Sequence, residues 1–229
     1  MMRWLRIAGI VLGLALVVTL MLWINRVRDV EARVQCQGCM SSIASAILGY
    51  HEKHGHFPPA YLVDAEGKPA HSWRVLILES IEPQLYAKYN FKEPWDGPNN
   101  RKLAASMPEY YACAADPEAR RHLRTNYFVV TGEQTLFPGS VPVSFKAVRK
   151  PYSEVILLIE SLGEGIHWME PRDITFDSMN FVIDANSGHS VSARHRRGPN
   201  ICTVDGTART LVDVTPDMLR QMFVIRPRE

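Results

Sequence analysis

The chain has 229 residues and a net charge of +2, with 26 Lys and Arg interspersed among 24 Asp and Glu. That mixture excludes the concentrated basic face a nucleic-acid partner requires, and the short stretch Arg194-His195-Arg196-Arg197 reads as a solvated loop. Fifteen prolines, with no low-complexity segment and no fixed-period repeat, point to an irregular, turn-rich domain.

Residues 7–24, IAGIVLGLALVVTLMLWI, are uncharged and long enough to cross a bilayer core. A helix there satisfies every backbone N–H and C=O internally. Trp4 and Trp23 stand at its two ends, where amphipathic rings favour the interface. A cleaved signal peptide is the rival reading, but Asn25, Arg26, Val27 and Arg28 make a poor cleavage site. Arg3 and Arg6 before the run nearly balance Arg26, Arg28 and Arg33 after it, so the positive-inside count does not orient the helix. The cysteines and the short N-terminal tail favour a cytoplasmic N-terminus. The expectation is a retained single-pass anchor over residues 1–29 in the cell inner membrane. Residues 30–229 form one exported, extracytoplasmic domain of ordinary size.

From Ala32 an apolar stripe runs at helical spacing through Cys36, Cys39, Ile43, Ile47 and Tyr50, continuing the membrane helix with one face laid on the domain. Gly55 is placed to end it at C′, and Pro58-Pro59 prevents continuation. Ser72 is placed to cap a short helix through Trp73, Val75, Leu76 and Leu78, and Pro83 to start another through Leu85, Tyr86 and Tyr89. Residues 95–100, WDGPNN, form a turn cluster, with Asn99 or Asn100 capping a helix over residues 101–106. Residues 127–130, 155–159 and 181–183 then read as strands. Two alternating runs flank Asp205-Gly206, the preferred type I′ hairpin pair. Thr215-Pro216 reads as N-cap and N1 of a last helix through Met218, Leu219 and Met222. A long helix followed by an antiparallel sheet is an α+β domain.

QCQGCMSSIASAILGYHEKHGHFPPAY, HSWRVLILESIEPQLYAKYNFKEPWDGPNN and the ending in which His195 is followed, after nine residues, by Asp205-Gly206 together resemble the domain of unknown function 1559 family. TNYFVVTGEQTLFPG and GIHWMEPRDITF resemble its middle portion, so the resemblance runs from about residue 30 to the end. Its members are similar to type IV pilins and type II secretion pseudopilins. The resemblance implies a pilin-like fold and no enzymatic activity. One departure stands out. Family members commonly carry a prepilin site, with glutamate at the fifth position after glycine. Here Gly9 is followed by Ile10, Val11, Leu12, Gly13 and Leu14. An acid inside lipid is costly, and pilins accept that cost for assembly. Its absence makes this chain a permanently tethered, non-processed relative.

Several side-chain sets invite chemistry. Cys36 and Cys39 with Cys113 and Cys202 are a formal four-thiolate zinc set, but the second pair is scattered. In an oxidising compartment a disulfide from Cys36 or Cys39 to Cys113 is the expected use, with buried free thiols as the alternative. His51, His54 and His56 lack zincin spacing and are expected to cap the helix end. Asp96, Asn99 and Asn100 offer calcium oxygens but lack EF-hand alternation. Asp205 and Gly206 are accounted for by the hairpin, and His195 is expected to fix the loop preceding it. With no catalytic residue, metal or cofactor assigned, the expected role is that of a structural or interaction protein of the envelope. Its partners are the membrane and other pilin-like proteins. The alternative is a tethered carbohydrate or small-molecule binding module using exposed Trp73, Trp95 and Trp168.

Overall fold

The computed structural model describes residues 2–183 and 188–226, with side chains from Gly9 onward; Arg3, Trp4 and Arg6 therefore lie outside the described side chains. Helix α1, Met2–His54, is continuous over 53 residues, as expected of a segment without a proline. Its apolar side chains from Ile10 to Trp23 are exposed, and it is long and apolar enough to cross a membrane. Contact with the domain begins at Asp29, whose Oδ1 accepts from Arg196 N at 3.0 Å. Beyond it the stripe becomes core: Cys36, Met40, Ile43, Ala44, Ala46 and Ile47 are buried. Gly55, at φ +78°, ends α1 as expected, its N–H donating to His51 O at 2.8 Å.

A hairpin of β1 (Tyr61–Val63) and β2 (Pro69–Ser72) leads into three single-turn helices, α2 (Trp73–Leu76), α3 (Leu78–Ile81) and α4 (Pro83–Tyr86). Ser72 caps α2 by accepting from Arg74 N, and Pro83 opens α4, both as expected. The cap expected at Asn99 or Asn100 is absent. The turn over Asn100–Ser106 is a 3-10 helix, and Glu93 Oε1 instead accepts from Asn99 N and Asn100 N, at 2.8 and 2.7 Å.

After α5 (Pro117–Arg121) come the strands β3 (Tyr127–Phe128), β4 (Val130–Thr131), β5 (Ile156–Glu160), β6 (Ile174–Thr175), β7 (Asn200–Thr203) and β8 (Ala208–Thr210). The main sheet runs β3-β5-β7-β8 with every pair antiparallel, while β4 and β6 form a small parallel ladder. Side-chain alternation gives the main sheet two cores. Tyr127, Leu158 and Cys202 face the α1 side; Phe128, Ile159 and Ile201 face Leu219 and Phe223 of α6, Pro216–Phe223. Thr215 caps α6 by accepting from Met218 N at 3.3 Å, as expected. The chain is thus an α+β protein, one long helix packed on an antiparallel sheet.

Two strand-level expectations are corrected. Residues 181–183 form no strand: Ile183 makes an isolated bridge to Val191, and Phe181 turns its ring onto Phe176 and Phe223. The hairpin turn is not type I′, because that turn needs positive φ at two residues and only Gly206, at +83°, has it. Thr203 N donates to Thr207 O at 3.1 Å instead, closing a three-residue loop.

The α1-side core contains an ion pair that no pattern announces. The Arg74 and Asp173 side chains are 0% and 2% exposed and meet twice, NH2 to Oδ1 at 2.5 Å and NH1 to Oδ2 at 3.2 Å. Arg74 also donates to Tyr127 O and Ser72 Oγ, and Asp173 accepts from Val129 N and Trp73 Nε1. Burial pushes the Asp173 carboxyl up to about 6, against the pull of Arg74.

His71 and His167 titrate in the opposite sense. Burial lowers both imidazoles below 6.5. The unfolded chain therefore binds more protons in the window below 6.5, and there stability rises with pH and is lost as pH falls. His71→Gln should flatten this slope between pH 7 and about 5, read from denaturation midpoints.

Candidate functional site

Four segments distant in sequence meet under α1. Cys36 projects from the buried face of α1; Cys113 follows the 3-10 turn Glu109–Tyr111; Glu160 ends β5; His195 lies in the loop before β7. All four residues are buried, and one ligand atom from each lies within 4.8 Å of the others. Cys36 Sγ and Cys113 Sγ are 2.7 Å apart, Cys113 Sγ is 3.3 Å from His195 Nε2, and His195 Nε2 is 3.3 Å from Glu160 Oε1.

The surroundings fix these side chains. Asn200 donates from its backbone N and its Nδ2 to Glu160 Oε2, at 3.1 and 3.0 Å, which turns Oε1 toward the cluster. Asn200 Oδ1 in turn accepts from Gln37 Nε2 on α1, at 3.0 Å. Cys113 N donates to Asn126 Oδ1 at 2.9 Å. Gly198 bends the chain between His195 and β7 at φ +112°, where a Cβ would stand 2.8 Å from Leu211 O. Within the cluster, Glu160 Oε1 and His195 Nδ1 have no hydrogen-bond partner among the described residues. Burial opposes charge on His195, but Cys36 and Glu160 beside it raise the imidazole to about 10. The hydrogen bond to Cys36 and burial push the Cys113 thiol well above its ordinary value. Solvent does not reach these groups, so the cluster suits an internal charge or an ion.

The other expected sites resolve differently. The thiols that meet are Cys36 and Cys113, but no disulfide joins them: all four cysteines are free. Cys39 and Cys202 stay outside the cluster, so the four-thiolate set does not assemble. Among the described residues the His195 ring makes no hydrogen bond to the loop preceding it; its Nε2 faces Glu160 and Cys113. Asp205 Oδ1 accepts from Thr203 Oγ1 and Thr207 N, the hairpin role expected of it. Asn100 is buried, its Nδ2 donating to Asn90 O and Pro94 O and its Oδ1 accepting from Asn90 N. Those bonds clamp the turn; Asp96 and Asn99 are exposed beside it. His51 Nε2 accepts from Phe145 N, and the His54 ring stacks on Tyr50. Trp73 and Trp168 are fully buried, and their indole N–H groups donate to Asp173 and to Ala104 O. Two of the three tryptophans expected to meet a sugar are therefore core, and half-buried Trp95 packs on His167.

Residues 28–150 match the family described as Protein of unknown function (DUF1559), and the chain belongs to it. His195, Asp205 and Gly206 lie beyond the matched residues. No curated protein and no solved structure matches the chain.

Proposed function

We propose that this chain is a single-pass, membrane-anchored protein of the cell envelope with pseudopilin-like form, acting by protein–protein assembly and not by catalysis. The observation that carries this reading is the division of α1. One uninterrupted helix exposes apolar side chains along its first half and gives its second half to the core of the domain. Such a helix is insoluble unless lipid or another helix covers it. The N-terminus is cytoplasmic and the domain extracytoplasmic on this reading. The missing acid after Gly9 leaves the helix unprocessed in the inner membrane. Covalent capture tests the proposal: a photo-crosslinker placed at exposed Val34 is expected to trap a defined complex with other helix-anchored envelope proteins. A chain that stays monomeric after irradiation in native membranes would rule out assembly.

A further inference from the structure

We propose that Cys36, Cys113, Glu160 and His195 bind one divalent ion of the zinc class, which clamps α1 to the sheet. Four kinds of evidence converge. The residues come from four separate segments, yet their ligand atoms share one point of the core. Two sulfurs, an imidazole and a carboxylate are the donor set of a borderline-soft ion; calcium and magnesium want oxygens alone. The carboxylate is the telling member. Glu160 is wholly buried, Asn200 holds its Oε2, and its Oε1 is aimed into the cluster, 3.3 Å from His195 Nε2 and with no hydrogen bond among the described residues. A second layer that orients ligands, here Asn200 and Asn126, is what metal sites characteristically add.

The distances fit. A tetrahedral zinc with ordinary bond lengths spaces its ligand atoms about 3.4–3.8 Å apart. The Cys113–His195 and His195–Glu160 separations are already 3.3 Å. The sulfur pair, at 2.7 Å, must open by about 1 Å when the ion enters, and the remaining ligand atoms already lie within 4.8 Å of one another. Binding takes two thiolates, one carboxylate and neutral imidazole Nε2, and releases the thiol protons and any imidazolium proton to solvent. With four protein ligands and no exposed position the site is closed, so the ion is structural.

The full chain, extracted in detergent and reduced, should retain close to one zinc per chain and exchange it for cobalt. The cobalt form should show a thiolate-to-metal charge-transfer band. Glu160→Gln keeps the shape and the bonds to Asn200 and should weaken cobalt binding at least tenfold. Cys39→Ser and Cys202→Ser, outside the cluster, should leave the spectrum unchanged. Reduced chain that takes up neither ion would overturn the proposal. So would chain isolated from membranes with Cys36 and Cys113 oxidised to a disulfide, two hydrogens lighter and metal-free. A cobalt spectrum lost in Cys39→Ser would place the site elsewhere and overturn it equally.

Discussion

Arg74→Met is expected to destabilise the protein by about 3–5 kcal/mol, because it leaves a buried carboxylate without its cation. Methionine fills most of the arginine stem's volume, so the loss is electrostatic. Asp173 keeps Val129 N and Trp73 Nε1 but loses both guanidinium contacts, and Tyr127 O keeps only Thr125 Oγ1 as a side-chain donor. The pH dependence separates this from a packing defect. Arg74 is what opposes the desolvation of Asp173, so without it the carboxyl rises above its present value of about 6. A carboxyl raised in the folded state binds protons more readily there than in the unfolded chain. Stability is then present at low pH and lost as pH rises. The variant should therefore recover part of its deficit on acidification below neutrality, read from denaturant midpoints by tryptophan fluorescence. The exposed pair Lys53–Glu79 is the control, since Glu79→Gln should change stability by less than about 1 kcal/mol.

Removing residues 1–28 should leave a folded, soluble domain, whereas removing residues 1–54 should abolish folding. The first cut takes away exposed apolar surface and stops just before Asp29 meets Arg196. The second removes Met40, Ile43 and Ile47, all wholly buried. Each such truncation to alanine alone costs about 2–5 kcal/mol, and the whole stability of a domain is about 5–15 kcal/mol. Far-ultraviolet circular dichroism and resistance to limited proteolysis report the outcome. A protease-resistant fragment without α1 would show that the helix only decorates an independent core.

What was legible in the sequence was local. The stripe from Cys36 to Ile47, the stop at Gly55, the caps at Ser72 and Thr215 and the runs that became β3 and β5 each depend on neighbours within a few residues. Errors fell where a local signal had a competitor. Asn99 looked like a cap until Glu93 supplied a stronger acceptor, and residues 181–183 had strand composition but found only one bridge. The cluster and the Arg74–Asp173 pair depend on contacts between distant segments, which no periodicity encodes. One signal did exist: Glu160 ends the apolar run at residues 155–159, and an acid there, continuing a buried strand, must find a partner inside. The cysteine nearest Cys113 could not be read from spacing, because Cys36 and Cys39 share a face and differ in depth by less than one turn.

The continuity of α1 has a mechanical consequence. At 1.5 Å per residue its 53 residues make a rod of about 80 Å, and roughly half of it is locked in the domain. No loop separates the exposed apolar half from the folded body, so no swivel exists between them. On the proposed anchored reading, the domain rides at a set height above the lipid surface. A change in the inclination of such an anchor would become a sweep of the domain's far side, and a pull on the domain would be delivered along the helix axis.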